Sequence, residues 1–283
     1  MAGRVVLFGA TGYTGGLVAA ALVRCGELPL LVGRDSQRLA RRAATLERDG
    51  RRLATATADA GDESSLARVV APGDVVVSTV GPFLRLGEPA VRVAVATGAV
   101  YLDSTGEPPF LRRVFEEHGP RAGASGAVLL PAFGYDYVPG NLAGALALRA
   151  AGAAATRVDV GYFRTGAGGV SGGTAASAAG VLLEPGFAWR SGRLQPERPG
   201  ARTRVFPSLG GRSRRALSVG GSEHLTLPTL HPGLDTVGVY LGWAGPLTPL
   251  VAALSAPLAA AARLPVLRRG LDAVQARIGP RPG

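Results

Sequence analysis

The first 131 residues alternate between short apolar runs and stretches in which apolar positions follow a helical spacing. The apolar runs predict six β-strands, at residues 5–8, 28–34, 53–58, 74–83, 100–104 and 127–131, the fourth of which runs into a loop. Helical spacing predicts the intervening helices at residues 17–22, 36–48, 63–70, 88–97 and 110–118. This alternation is typical of one parallel, doubly wound α/β sheet, the Rossmann architecture.

The pattern changes after an alanine-rich helix expected at 142–150. Longer strands, expected to be antiparallel, follow at 156–164, 216–219, 225–228 and 236–241, with a helix at 175–183. A bend rich in glycine and serine at 166–174 and a loop rich in arginine and proline at 190–215 separate them. We therefore expect a nucleotide-binding Rossmann domain over 1–150 and an α+β substrate domain with a mixed or antiparallel sheet over 151–283.

Three glycines join the first strand to the first helix. Gly9 would allow the tight turn, Gly12 the close approach of a pyrophosphate, and Gly15 the packing of helix on strand. Backbone N–H groups at the start of the helix would face the phosphates, helped by the helix dipole. The residues expected to supply them are Thr11, Gly12, Tyr13 and Thr14. The alternative is an ordinary strand–helix turn, because the spacing G-x-x-G-x-x-G is less specific than G-x-G-x-x-G.

The strand ends indicate which dinucleotide would bind. The second strand ends in Arg34, which could hold the 2′-phosphate of NADP, although a solvated arginine beside a helix cap at Asp35 or Ser36 is the alternative. The end of the fourth strand should lie beside the nicotinamide half of the cofactor. The residues concerned are Thr79, Val80 and Gly81. The sequence therefore favours NADP as the cofactor.

Composition narrows the possible partners, metal sites and location of the protein. All 31 basic residues are arginines and the net charge is +11, yet the arginines do not interleave with aromatic residues, so nucleic acid is not an expected partner. Cys25 is the only cysteine, and no metal-ligand cluster surrounds the histidines, of which His224 is expected at a strand end. We expect a cytoplasmic protein without a signal peptide. The uncharged stretch 236–262 should include a docked apolar helix, while peripheral contact with the inner face of a membrane and a homodimer both stay open.

Several segments together carry a family resemblance. They are GATGYTG at 9–15, VGR at 32–34, VVSTVGPF at 76–83, GEPAVRVAVATGAVYLDSTGEPPF at 87–110 and PAFGYDYVPGNLAG at 131–144. On these segments the chain resembles the saccharopine dehydrogenase-like NADP-binding family, and within it the trans-acting enoyl reductase branch. The resemblance implies an NADP-dependent oxidoreductase that reduces an enoyl group on a carrier-bound or lipid-like acyl chain. Members usually continue with a further strand and helix, so it also implies an abbreviated substrate domain.

Enoyl reduction needs a hydrogen-bond donor for the developing enolate oxygen and an acid for the α-carbon. A polar loop expected over the nicotinamide offers Tyr135 or Tyr137 as the donor and Asp136 to orient the loop, with Glu107 nearby after the fifth strand. The alternative is structural, with Asp136 capping the next helix and the tyrosines packing between domains. Two other functions stay open: an oxidoreductase of the imine or amino-acid type, and a protein that binds NADP without catalysis.

Overall fold

A computed structural model describes residues 3–47, 50–135, 137–163, 186–207 and 213–261. The chain forms two compact units: Met1–Thr105 with Phe110–Gly134, and Gly106–Pro109 with Tyr135–Gly283. The first unit therefore ends before the junction expected near residue 150. The functional assignment of a cofactor domain and a substrate domain stays a prediction.

The first unit is built on a six-stranded sheet in which every strand pair is parallel. Its strands are β1 Val5–Phe8, β2 Leu30–Gly33, β3 Thr55–Thr57, β4 Val75–Ser78, β5 Val100–Asp103 and β6 Val128–Leu130. Their order is β3-β2-β1-β4-β5-β6, so the sheet order reverses between β1 and β4. The predicted Rossmann sheet is confirmed, and its ligand crevice should lie at the carboxyl ends of β1 and β4.

Helices cover both faces of this sheet. They are α1 Tyr13–Arg24, α2 Ser36–Thr45, α3 Glu63–Ala67, α4 Phe83–Leu86, α5 Glu88–Thr97, α6 Pro108–Arg113 and α7 Gly119–Ser125, with a π turn at Val114–His118 after α6. The helix expected at 110–118 is thus the end of α6 plus this turn. The short helices α4 and α7 were not expected, because neither is long enough to show a clear apolar period.

Both faces of the first sheet are buried, as the continuous apolar strands predict. Val6 and Phe8 of β1 point into a core shared with β4 and α5, whereas Leu7 points into a second core with Leu31 and Leu39. All five side chains are at most 2% exposed. This burial holds the carboxyl end of β1 rigidly in the sheet.

The second unit contains a mixed sheet. Its strands are β7 Arg157–Tyr162, β8 Phe187–Arg190, β9 Arg193–Pro196, β10 Thr203–Phe206, β11 Arg214–Ser218 and β12 Thr236–Leu241. The main path is β10-β11-β12-β8-β9 and is antiparallel, while β7 pairs with β12 in parallel over six residues. The predicted α+β architecture with a mixed sheet is confirmed, although β7, expected among antiparallel strands, runs parallel to β12.

Two sequence predictions in this unit are wrong. The expected loop 190–215 contains β9 and β10, because Ser191 and Gly192 both have positive φ and make a tight hairpin from β8 to β9. The expected strand 225–228 lies inside a helix, α9 Glu223–Leu230. Its alternating leucines imitated a strand, whereas Ser222 followed by Glu223 is a helix-start signal.

Two more helices complete the described part of the second unit: α8 Val138–Ala151 and α10 Thr248–Ala261, the latter preceded by a 3₁₀ turn at Gly245–Leu247. Helices α8 and α9 pack on β7 and β12 through Leu148, Leu227, Val160 and Val239. The helix expected at 175–183 and the bend at 166–174 lie outside the described residues, as does Asp136. Within the described ranges, no helix is long and apolar enough to span a bilayer.

Candidate functional site

The turn after β1 is shaped by the close approach of its glycines. Gly9 has φ of +80°, and a Cβ there would lie 2.7 Å from Thr79 Oγ1. A Cβ at Gly15 would lie only 2.1 Å from the carbonyl oxygen of Gly9. The N–H of Gly9 donates to the Val32 carbonyl at 3.0 Å, which ties the turn to β2. The glycine spacing therefore serves a tight strand–helix packing as expected.

The donors at the start of α1 differ in one respect from the prediction. The N–H of Gly12 donates to the Gly9 carbonyl oxygen at 2.9 Å and so does not face a ligand. Gly12 is the N-cap of α1 and offers no capping side chain. The N–H groups of Tyr13, Thr14 and Gly15 belong to the first turn, where an α-helix provides no acceptor of its own. A turn without a capping side chain, whose first N–H groups have no acceptor within the helix, fits a pyrophosphate.

A basic pocket of about 260 Å³ lies beside this turn. Its lining residues are Thr11, Arg38, Arg41, Arg42 and Thr45. Arg38 Nη2 donates to the Thr11 carbonyl oxygen at 3.4 Å, which places a guanidinium directly against the glycine turn. Arg34, the residue predicted to hold the 2′-phosphate, is exposed and does not line the pocket.

The pocket arginines could have been found in the sequence. Positions 38, 41 and 42 follow Arg34 at i+4, i+7 and i+8, which is one face of a helix. The start of that helix is fixed by Asp35, whose carboxylate accepts hydrogen bonds from the N–H groups of Gln37 and Arg38 at 2.9 and 3.0 Å. These hydrogen bonds lower the pKa of Asp35, so the cap is ionised at neutral pH.

The end of β4 also lies at this crevice. The N–H and the hydroxyl of Thr79 both donate to the Phe8 carbonyl oxygen, at 3.1 and 2.9 Å. Thr79 therefore joins the ends of β1 and β4 at the point where the sheet order reverses. Val80 is half-buried and Gly81 is exposed. Their contact with the nicotinamide stays a prediction.

Three of the four predicted catalytic residues, Glu107, Tyr135 and Tyr137, lie in the opening segments of the second unit. Tyr135 is 77% exposed, whereas Tyr137 is only 7% exposed. The Tyr137 hydroxyl lies 3.5 Å from the carbonyl oxygen of Gly106, the residue before the half-buried Glu107. Asp136 lies outside the described residues. The structure thus brings Tyr137 close to the Glu107 segment and leaves Tyr135 on the surface.

A polar network around Tyr137 was not anticipated from the sequence. Asn141, the only asparagine in the chain, donates through Nδ2 to the Tyr137 carbonyl oxygen at 3.0 Å and to Ser222 Oγ at 2.7 Å. The Thr226 hydroxyl donates to Asn141 Oδ1. These contacts join α8 to α9 across about eighty residues of chain, so no local pattern could reveal them.

Two titratable groups lie in this region. Tyr162 at the end of β7 contacts both the Tyr137 carbonyl oxygen, at 3.3 Å, and Oε1 of Glu223. Glu223 is fully buried, and this burial raises its pKa to about 7 against the opposing hydrogen bond from Tyr162. Burial raises the pKa of Tyr162 well above its ordinary value.

His224 does not lie at a strand end as expected. It is 1% exposed inside α9, and burial lowers its pKa to about 4. Its Nδ1 accepts from the Trp189 N–H at 3.2 Å, and its Nε2 lies 3.3 Å from the Val219 carbonyl oxygen. The imidazole is therefore a neutral structural group that carries its proton on Nε2.

The turn, the reversal of sheet order and the basic pocket define a Rossmann unit suited to a phosphorylated dinucleotide. Residues 5–130 match the family model of the saccharopine dehydrogenase NADP binding domain. The first unit is therefore an NADP-binding domain that is similar to the one in saccharopine dehydrogenases.

Several curated proteins are similar to part of this chain. A Mycobacterium tuberculosis protein with a provisional trans-acting enoyl reductase name is 38% identical over 183 residues, which is 63% of this chain and 44% of that protein. The Mycobacterium leprae trans-acting enoyl reductase is 39% identical over 49% of this chain and 34% of its own length. The lipid droplet localized protein of Caenorhabditis elegans is 31% identical with the same two coverages. The chain thus spans less than half the length of these relatives.

The fold has a solved counterpart. Saccharopine dehydrogenase (L-Glu forming) from Saccharomyces cerevisiae, in its apo form, superposes with a TM-score of 0.54 over 84% of this chain and 54% of that chain. Sequence identity is 15%, so this similarity supports the architecture alone. It extends beyond the 126 residues of the family match, from 5 to 130, and therefore includes part of the second unit.

Proposed function

We propose that this protein is an NADPH-dependent reductase that acts on the conjugated double bond of an acyl substrate. The observation that carries the cofactor part is the pairing of the Gly9–Gly15 turn with the arginine pocket on α2. The enoyl specificity is supported by the names of the mycobacterial relatives. A carrier-bound or lipid-like acyl chain is the proposed substrate class.

Different groups of this chain would bind different parts of the cofactor. The first-turn N–H groups of α1 would bind the pyrophosphate, with Gly12 leaving room for it. Arg38, in contact with the turn, would hold the 2′-phosphate together with Arg42. When bound, the reduced nicotinamide supplies a hydride.

Tyr137 is the proposed donor to the acyl carbonyl oxygen. Its carbonyl is fixed by Asn141 and Tyr162, and its hydroxyl adjoins the Gly106–Glu107 segment. A held phenol can donate a hydrogen bond to a developing enolate with little reorganisation. Tyr135 is the less suitable of the two tyrosines, because its side chain is 77% exposed and Tyr137 is buried.

The test is NADPH oxidation with three acceptors: an α,β-unsaturated acyl thioester, the saturated thioester of the same chain, and a cyclic imine. We expect turnover with the first alone. Turnover with the imine alone would instead indicate an oxidoreductase of the imine or amino-acid type. NADPH binding without any turnover would make it a non-catalytic NADP-binding protein.

Two matched variants test the role of the tyrosines in the same assay. Tyr137→Phe should lower kcat by about 100-fold, the usual scale for losing a positioned donor, with little change in NADPH affinity. Tyr135→Phe is the matched control and should leave kcat unchanged. Equal activities of both variants and the wild type would remove Tyr137 from the mechanism.

A further inference from the structure

The two contacts of Tyr162 can both be hydrogen bonds only if Glu223 is protonated. The phenol has one proton, yet it lies within hydrogen-bonding reach of two acceptors, the Tyr137 carbonyl oxygen and Glu223 Oε1. Were Glu223 a carboxylate, only one of the two contacts could be a hydrogen bond. A protonated Glu223 satisfies both: its Oε1–H donates to the Tyr162 oxygen, and Tyr162 donates onward to Tyr137.

The other carboxyl oxygen of Glu223 leads to the same conclusion. Within the described residues, Glu223 Oε2 is buried and has no hydrogen-bond partner. A bare carboxylate oxygen in such a place would be costly, whereas the carbonyl oxygen of a neutral acid costs much less. The proton therefore belongs on Oε1, on the side of Tyr162.

Two glycines make room for this pair. A Cβ at Gly140 of α8 would lie 1.9 Å from the Tyr162 hydroxyl oxygen and 2.5 Å from Glu223 Oε1. A Cβ at Gly221 would lie 2.5 Å from Glu223 Oε2 and 3.2 Å from the ring of Tyr137. The backbone of α8 and the start of α9 thus fit closely around the carboxyl group.

We infer that Glu223 is held as a neutral carboxylic acid that donates its proton to Tyr162, and that the Glu223–Tyr162 pair positions Tyr137 for the reaction. In this proposal neither Glu223 nor Tyr162 touches the substrate. Both act by holding the Tyr137 backbone at the start of α8. The positioning half of the inference rests on the proposed reductase function, whereas the protonation half does not.

The surroundings of the carboxyl group support the neutral state. Burial is the main influence on the Glu223 pKa, and the two opposing influences are hydrogen bonds from Tyr162 and from the backbone N–H of Glu223 itself. The titratable groups nearby are Tyr162 on β7, Tyr137 before α8 and His224 on α9, whose ring is bonded instead to Trp189 and Val219. Among the residues that the structure describes, no charged side chain contributes to the shift.

The protonation half is tested by infrared difference spectroscopy of the full chain, wild type minus Glu223→Gln, at pH 6. A protonated-carboxyl C=O band present in the wild type and absent from Glu223→Gln is expected. A difference spectrum that shows only the carboxylate bands would overturn the inference. This readout needs no substrate, so it stands even if the proposed reductase function fails.

The positioning half is tested by kinetics. Glu223→Gln keeps a neutral group whose amide can donate to Tyr162, so kcat should stay within about threefold of the wild type. Tyr162→Phe breaks the chain of hydrogen bonds and should lower kcat by about tenfold or more, with the NADPH Kd unchanged. Should Tyr162→Phe lower only thermal stability and leave kcat intact where it is folded, the pair would be merely structural and the positioning half would be overturned.

Failure of the two proposals can be told apart. If no acceptor is reduced by the wild type, the reductase function fails and the positioning half falls with it, while the infrared result still decides the protonation half. If the wild type is active and Glu223→Gln is inactive but folded and able to bind NADPH, the reductase function stands. In that case a neutral hydrogen-bonding group at position 223 is not sufficient and the positioning half is overturned, while the infrared result still decides the protonation half.

Discussion

Gly15 lies so close to Gly9 that a Cβ at position 15 would be 2.1 Å from the carbonyl oxygen of Gly9. The clash would be with backbone at the rigid end of β1, so neither side can yield cheaply. This contact separates two roles that the glycine triplet combines: Gly15 serves the packing of α1, whereas Gly12 serves the ligand.

Substituting the two glycines separately should distinguish these roles. Gly15→Ala should lower the free energy of unfolding by about 2–4 kcal/mol because it overpacks a buried contact. Gly12→Ala, whose Cβ would lie 3.2 Å from the Gly9 carbonyl oxygen, should fold with a loss of about 1 kcal/mol or less. It should nevertheless weaken NADPH binding by about tenfold or more, because the methyl group occupies the pyrophosphate's path. Denaturant unfolding and NADPH titration of both variants measure this; equal NADPH affinities of Gly12→Ala and wild type would contradict it.

Arg38 should determine the preference for NADPH over NADH. A charge-assisted hydrogen bond contributes about 1.5–3 kcal/mol, so Arg38→Gln should weaken NADPH binding by about 10- to 100-fold and leave NADH binding unchanged. Arg34→Ala is the matched comparison and should have the smaller effect, since Arg34 does not line the pocket. Isothermal titration with both nucleotides measures these affinities. A larger loss of NADPH affinity with Arg34→Ala would instead indicate that Arg34 binds the 2′-phosphate, as the sequence predicts.

The close packing around Tyr162 predicts which helix glycines tolerate alanine. Gly140→Ala would place a Cβ 1.9 Å from the Tyr162 hydroxyl oxygen, so it should destabilise the fold by about 2 kcal/mol or more. Gly123 in α7 has no atom within 4 Å of an added Cβ, and Gly123→Ala should stabilise by about 0.5–1 kcal/mol through helix propensity. Thermal unfolding of the two variants measures this difference. Unfolding midpoints that shift in the same direction for both variants would contradict the prediction.

Glu223 and His224 should make opposite contributions to the pH dependence of stability. Glu223 has a folded-state pKa of about 7 against 4.5 when unfolded, so the unfolded chain ionises first and stability falls as pH rises from 4.5 to 7. His224 has a folded-state pKa of about 4 against 6.5, so the unfolded chain takes up the proton first and stability falls as pH drops from 6.5 to 4. At about 1.4 kcal/mol per pKa unit, each contribution reaches about 3 kcal/mol, and over their shared range the two largely cancel.

Removing the Glu223 carboxyl group should reveal the pH dependence of stability that His224 contributes. Glu223→Gln should become less stable relative to the wild type as pH falls from 6.5 to 4.5, because the His224 contribution is then unopposed. Urea unfolding at half-unit pH intervals measures the difference between the two curves. Parallel curves for wild type and variant would show that the Glu223 pKa is not raised in the folded protein.

The parts of the fold that the sequence predicted are those fixed by local pattern. The strand, turn and helix from Val5 to Arg24 combine a continuous apolar run, glycines at fixed spacing and helical periodicity, so three local signals agree. The cap at Asp35 is likewise local, since its hydrogen-bond partners are two and three residues away. These elements place the cofactor turn at the correct end of the sheet.

The parts that were missed depend on long-range contacts or on ambiguous patterns. Leu225 and Leu227 alternate with polar residues, so the sequence predicts a strand where the structure has helix α9, and the packing of α9 against α8 is a long-range contact. The contacts of Glu223 with Tyr162 and of Asn141 with Ser222 join residues 61 and 81 positions apart. Burial of a carboxyl group cannot be read from its neighbours in sequence, so the network around Tyr137 required the structure.

The measurement that tests the account most directly is the titration of the wild-type protein with NADPH and with NADH, followed by nucleotide fluorescence. The Gly9–Gly15 turn and the arginine pocket predict that NADPH binds at least about tenfold more tightly than NADH. Addition of an α,β-unsaturated acyl thioester to the NADPH complex should then lower the NADPH fluorescence in proportion to the thioester added. If neither nucleotide binds, the cofactor site is contradicted, and with it the proposed reductase.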